Sequence, residues 1–314
     1  MLLQSNKIII YGKGGERKIL DKEQMLLLFK WRENILIGIK YAVFNPKILF
    51  YFIERKFKQF FFKQKIIDNR KMLEGIIGLK PEKIEVICNN RNFLFERAHT
   101  DHIENIIFLN QYQLKPSLVK NKVVVDVGAN VGTFSILAAK MGAKKVWAFE
   151  PVKETFRILK KNIKLNELEG IVIPVCCALG EKSKKGKIYY TGGGDGGATM
   201  YKERHKHSNL KTQAMAIEPL DRMIKEPVDY IKIDSEGNEK NILLGAKKII
   251  RRWRPNLVFS AYHWKNDKSE LPLVVFQMCE NYQCKLINTG EEIFICHTKN
   301  YSGRGLATNR SKRN

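Results

Sequence analysis

The chain has 314 residues, 44% of them hydrophobic, with 56 Lys and Arg against 32 Asp and Glu, a formal net charge of +24. That length buries a full α/β core and leaves room for an extension. The positive excess points to an anionic partner or surface (nucleic acid, anionic lipid or an acidic sugar), with solvated lysine faces as the bland alternative. The cysteines (Cys88, Cys176, Cys177, Cys279, Cys284 and Cys296) form no C-x-x-C pair. They read as buried thiols in a reducing compartment, which excludes a disulfide or zinc frame. Met1 is not followed by a basic segment and an apolar stretch, so no signal peptide is expected. The absence of an apolar run long enough to span a bilayer excludes a membrane helix, and a cytoplasmic location is expected.

Residues 1–80 read as a helical, basic and aromatic extension. Within 35–67, Pro46 separates two expected helices. In the second, Phe50, Ile53, Phe57, Phe60 and Phe61 recur at helical spacing, with Arg55, Lys56, Lys58 and Lys63 between them. This face either docks on the rest of the protein or a second subunit, or lies in the interface of an anionic membrane, at its inner face. Residues 84–97 predict a hairpin about Asn89-Asn90, and a helix is expected over 103–112. A regular alternation follows. Strands are expected at 122–127, 145–150, 171–178, 228–234 and 256–261, and helices at 131–140, 152–165, 238–252 and 270–281. Strands 283–288 and 291–296, joined by a Thr-Gly turn, should close an antiparallel hairpin. The basic tail 301–314 is expected to be disordered. A domain over 81–300 of α/β class follows, with a mostly parallel sheet capped by that hairpin.

Residues 123–151 carry the strongest functional signal. A buried strand enters the turn Asp126-Val127-Gly128-Ala129-Asn130-Val131-Gly132, a helix follows, and the next strand ends on Glu150. Glycines at 128 and 132 let the main chain approach a ligand, and the helix start offers unpaired N–H groups. Glu150 can hold both hydroxyls of a ribose. The turn lacks the G-x-G-x-x-G of a dinucleotide site, and an acid at Asp126 sits badly beside a pyrophosphate. The pattern D-x-G-x-N-x-G with a following strand-end acid resembles the first two motifs of methyltransferases that use S-adenosylmethionine (SAM).

Further residues narrow the resemblance. NIKLN at 162–166, the Ile-x-x-Leu-Asp element at 217–221, the run IKIDSEGNE beginning at Ile231, and SAYHW at 260–264 together resemble the FkbM family of SAM-dependent methyltransferases over about residues 84–297. The resemblance implies the class I seven-stranded sheet and O-methylation of a hydroxyl on a sugar, glycan or related metabolite. It also implies that Asp126, Gly128, Ala129, Asn130 and Gly132 face the methionine end of the cofactor and that Glu150 holds its ribose. The third strand lacks the Asp that many class I methyltransferases place at its tip for the adenine amino group, so backbone groups near Ala178 are expected to serve there.

Methyl transfer to a hydroxyl needs a group that takes its proton. Asp234 and Glu236 end the fourth strand and His263 follows the fifth. His263 is the expected general base, with Asp234 and Glu236 as catalytic partners and Lys232 as a steadying cation. The same three residues offer oxygen and imidazole ligands for a divalent cation, although no metal site is assigned. TGGGDGG at 191–197 reads as a lid with Asp195 at its tip, or as a plain linker. The following YKERHKH at 201–207 is basic enough to meet an anionic group. Two other functions stay open. An RNA methyltransferase would suit the charge, but the turn after the fourth strand lacks the proline that amine-methylating enzymes use. A non-catalytic scaffold on the same fold would not bind SAM.

Overall fold

A computed structural model describes residues 7–12, 16–20, 81–96, 102–194, 196–205, 209–288 and 291–299. The helices expected in 35–67, the tail after 300 and Asp195 lie outside the described residues.

The extension begins as strand, not helix. β1 (Lys7–Gly12) and β2 (Arg17–Ile19) join β3 (Pro81–Cys88) and β4 (Arg91–Phe95) in an antiparallel sheet of order β2-β1-β3-β4. The run Ile8-Ile9-Ile10 is β-branched throughout, which favours an extended chain over a helix. The β3–β4 turn falls on Asn89-Asn90, both with positive φ, as a two-residue hairpin loop requires. Ile8, Ile10, Val86, Phe93 and Phe95 are buried in the same core as Phe134 and Ile136 of the next unit. The expected helix over 103–112 is shorter, a π-helical turn over Ile103–Phe108.

After α1 (Pro116–Val119) the α/β unit starts with β5 (Val123–Val127), buried at every position, as a strand covered on both faces must be. α2 (Thr133–Lys140), β6 (Lys145–Phe149), α3 (Lys153–Leu165) and β7 (Val172–Val175) continue the alternation. A small sheet of β8 (Ala178–Leu179), β9 (Lys184–Tyr190) and β10 (Lys211–Glu218) is inserted next, in the order β8-β10-β9. Then come α4 (Leu220–Met223), β11 (Tyr230–Ile233), α5 (Glu239–Gly245), α6 (Lys247–Trp253), β12 (Asn256–Ser260) and α7 (Asp267–Met278). The hairpin β13 (Tyr282–Asn288) and β14 (Glu292–Thr298) closes the unit. The large sheet has the order β13-β14-β12-β11-β5-β6-β7, in which β14 alone runs against the other strands. This is the expected seven-stranded architecture with its C-terminal antiparallel hairpin.

Three differences have local causes. The single helix expected over 238–252 divides at Ala246, where Gly245 packs so close to the Gly180 carbonyl that a Cβ would lie 2.0 Å from its oxygen. NIKLN is a structural clamp: Asn162 and Asn166 of α3 bond the free edge of β4, taking the Glu96 and Leu94 N–H groups at 2.8 and 3.0 Å. The cysteine reading fails at one pair. Cys284 and Cys296 face each other across β13 and β14 and form a disulfide, while Cys88 and Cys177 are buried thiols and Cys176 is exposed. Among the described residues no helix is long and apolar enough to cross a membrane.

Candidate active site

The carboxyl ends of β5, β6, β11 and β12 open into one cleft of about 1140 Å³, counting its mouth. One end is built from the β5–α2 turn. Gly128 has φ +72°, and a Cβ there would sit 1.8 Å from the Asp234 carbonyl oxygen. The glycine therefore lets two strand-end turns touch, a stronger demand than the ligand approach expected of it. Gly132, with φ +95°, turns toward Leu159 of α3 and is not among the cleft-lining residues. Gly128, Ala129, Asn130, Glu150 and Ala178 do line it.

Glu150 is 5% exposed and accepts the Asn130 and Val152 N–H groups at 3.0 and 2.9 Å. Burial pushes its carboxyl up to about 7, against the pull of those two N–H groups and of Lys232. Beside it, the Asn130 Oδ1 and Thr133 Oγ1 atoms are buried and make no hydrogen bond. Both residues line the cleft.

Asp126 has a different place from the one expected. It is fully buried, accepts the Ser135 hydroxyl at 2.6 Å and pairs with Lys232 Nζ at 3.0 Å. It is not among the cleft-lining residues. Lys232 also donates to the Gly128 carbonyl at 2.9 Å, so the pair fastens β11 to the β5 turn. A cofactor ammonium has no access to a carboxylate so enclosed.

The other end is a cluster of acids around one imidazole. Asp234 accepts the hydroxyls of Tyr112 and Ser260 at 2.7 and 2.8 Å. Burial raises its carboxyl, but Lys232, His263 and those hydroxyls outweigh it and hold it below the ordinary range. Burial and the Asp234 charge raise Glu236 to about 7. Glu236 has φ +56°, a left-handed backbone rare outside glycine, and its carboxylate lies 3.5 Å from Arg204. Asp234, Glu236, Tyr262 and Glu291 line the cleft.

His263 does not line it. Its side chain is fully buried, with Nδ1 3.2 Å from Glu239 and Nε2 3.5 Å from Glu236 and 3.8 Å from Asp234. Burial alone lowers its imidazole, but Glu239 close beside Nδ1, then the charges of Asp234 and Glu236, raise it to about 9. A side chain closed off from the cleft does not reach an acceptor hydroxyl, so the general-base expectation for His263 is corrected. Sequence reasoning missed Glu239 and Tyr112. Glu239 lies inside the run quoted above, five residues after Asp234. Tyr112 has no local signal, because it reaches Asp234 across 122 residues of chain.

The glycine-rich loop is packed. A Cβ on Gly193 would meet Glu154 at 2.8 Å, and the Gly194 N–H donates to Thr155 at 3.0 Å. Gly193 and Gly194 thus pack against α3. Arg204 after the loop stacks over Trp264, 5.3 Å from its ring centre, and donates to the His263 carbonyl.

The model of the FkbM methyltransferase domain matches residues 126–284, half of the chain. A fungal relative, methyltransferase sdnD of Sordaria araneosa, is 22% identical over 204 residues, 52% of this chain and 75% of its own length. The tRNA (guanine(37)-N(1))-methyltransferase Trm5b of Methanocaldococcus jannaschii is 47% identical over 66 residues, 21% of this chain and 19% of that enzyme. The chain therefore spans about a fifth of the archaeal enzyme. Among solved structures, an FkbM methyltransferase from Methylobacillus flagellatus is similar at 19% identity and a TM-score of 0.44, over 63% of this chain and 53% of that one.

Proposed function

The chain belongs to the FkbM methyltransferase family, and from that premise we propose that it transfers a methyl group from SAM to a hydroxyl of a sugar, glycan or related small metabolite. One observation carries the reading. A single cleft joins a buried ribose-type carboxylate, Glu150, to a pair of carboxylates, Asp234 and Glu236.

The residues at the first end fit the cofactor. Asn130 Oδ1 and Thr133 Oγ1 are buried without partners, and a ligand bearing an ammonium and hydroxyls would satisfy them. Glu150 accepts only main-chain N–H groups among its hydrogen bonds here and keeps lone pairs for two ribose hydroxyls. Cys177, Ala178 and Leu179 line the remaining wall, and their main chain would serve the adenine. When bound, SAM supplies a methyl group on a cationic sulfonium. The chain's part is to hold the acceptor oxygen in line and take its proton.

Glu236 is the residue that does the latter in this reading. It lines the cleft, where His263 does not, and its carboxylate is held by Arg204. Asp234, fixed by Tyr112 and Ser260, accepts a hydrogen bond from the acceptor hydroxyl or its neighbour. His263 and Glu239 sit behind these acids and position them. A cleft lined by Asp234, Glu236 and Glu291 suits a neutral, hydroxyl-rich acceptor and repels phosphate.

The 66-residue likeness to a tRNA methyltransferase and the charge of +24 favour RNA as the second reading. Two measurements test the proposal. Calorimetry should show S-adenosylhomocysteine (SAH) binding to the purified protein, and labelled methyl should pass to polyhydroxylated acceptors rather than RNA. Label on RNA alone would replace the reading. Glu236→Gln should lower turnover about 100-fold with SAH affinity kept; loss of SAH affinity in parallel would remove Glu236 from the base role.

A further inference from the structure

We propose that Asp234, Glu239 and His263 hold a divalent cation, of the magnesium or manganese class, at the acceptor end of the cleft. The inference rests on reading that end as the methyl-acceptor site.

One donor atom from each residue lies within 4.8 Å of the other two. Two oxygen or nitrogen ligands on opposite sides of one small cation are separated by roughly 4–4.6 Å, so the three atoms span about one coordination sphere. The donors are the oxygen and imidazole types that such cations accept.

The cluster is more than a group of acids. His263 is 7% exposed, and neither ring nitrogen makes a hydrogen bond. Nε2 is 3.5 and 3.8 Å from the Glu236 and Asp234 oxygens, beyond the usual 2.7–3.2 Å of an N–H···O bond. Nδ1 lies 3.2 Å from Glu239 yet off the line a hydrogen bond needs. Glu239 is 1% exposed, and its Oε2 is likewise buried without a partner. The two ring nitrogens face opposite sides of the imidazole, so one of them, together with the orphaned Glu239 Oε2, is what a cation beside Asp234 would take up. Burying such groups unmatched is costly, and a cation bound to both side chains relieves that cost.

The surroundings hold these ligands still. The other Glu239 oxygen accepts the Ser235 N–H at 2.8 Å and its hydroxyl at 2.9 Å. The Asp234 oxygens are fixed by Tyr112 and Ser260. Outer-shell bonds of this kind orient metal ligands. Asp234 reaches the cleft, while Glu239 and His263 are not among its lining residues. The cation is thereby placed in the cleft wall, where it would draw electron density from an acceptor oxygen and ease loss of its proton to Glu236.

The test is Mn²⁺ binding to the full chain, read by electron paramagnetic resonance, with SAH binding measured on the same sample. The wild-type protein should take up one Mn²⁺ per chain. Glu239→Gln and His263→Asn should each weaken it more than the 10–100-fold that loss of an outer-shell partner costs. Circular dichroism checks that the variants fold. Should they not, Mn²⁺ must broaden the His263 imidazole signals of the wild-type protein in NMR spectra. No Mn²⁺ uptake by a protein that binds SAH, uptake unaffected in both folded variants, or unbroadened His263 signals would overturn the cation site and leave the cofactor reading standing. Failure of SAH to bind would strike the cofactor reading instead.

Discussion

The two ends of the cleft are built in opposite ways. The end holding Glu150 comes from one continuous stretch: a strand, a turn, a helix and the next strand tip. Its polar side chains Asn130, Thr133 and Glu150 all come from that stretch, and Glu150 itself is positioned by two backbone N–H groups. The end holding Asp234 is assembled from side chains that meet only after folding. Tyr112, Ser260, Glu239 and His263 arrive from separate elements to fix one acid cluster. The first end depends on a local turn in which Gly128 leaves no room for a Cβ, and the second depends on side chains that long-range packing brings together.

The sharpest way to break this contrast lies at the joint between the two ends. Lys232→Met leaves Asp126 buried and uncompensated, and should cost about 3–5 kcal/mol of stability. Denaturant unfolding measures it. Asp126→Asn should also destabilise, while the fraction that remains folded binds SAH with wild-type affinity. Weakened binding by fully folded Asp126→Asn would return Asp126 to the cofactor.

Gly128→Ala comes next. Its Cβ has no space against the Asp234 carbonyl, so one methyl should cost about 3 kcal/mol and disturb both ends together. Unimpaired SAH binding with normal stability would show that the two turns do not touch.

The smallest effect concerns pH. The Glu150 carboxyl is raised from 4.5 to about 7. It carries a proton below that point and must lose it to accept two hydroxyls. SAH affinity should therefore rise from about pH 6 to about pH 8, by at most about tenfold per unit, and then level off. Glu150→Gln should bind more weakly and flatten the profile. A profile that stays steep in Glu150→Gln would assign the titration to another group.

The same contrast governs what could be read from the chain. Strands β5 to β7 and β11 to β14 announce themselves as apolar runs between turn residues, and Gly128, Asn130 and Glu150 stand close together in sequence. β1 and β2 are hidden, because a short isoleucine run has no period and its partner strand lies more than 60 residues away. β10, paired along its whole length with β9, carries the mixed pattern of a strand exposed on one face. The acid cluster was half legible. Asp234, Glu236 and His263 stand at strand ends, but which of them the cleft reaches depends on packing that no local pattern encodes. The Cys284–Cys296 pair was within reach, since a hairpin that sets Asn288 opposite Glu292 sets those positions opposite each other. Counting C-x-x-C spacings cannot reveal a cross-strand partner.

The amide clamp on β4 has a practical consequence. Asn162 and Asn166 occupy the hydrogen-bonding groups that this border strand would otherwise offer to a neighbouring molecule. On the opposite side, among the described residues, β3 is shielded by β1. A polypeptide started at residue 81 would keep the first guard and lose the second. It should fold around the same central sheet yet self-associate through its newly bared rim, which makes β1 a solubility element in this reading.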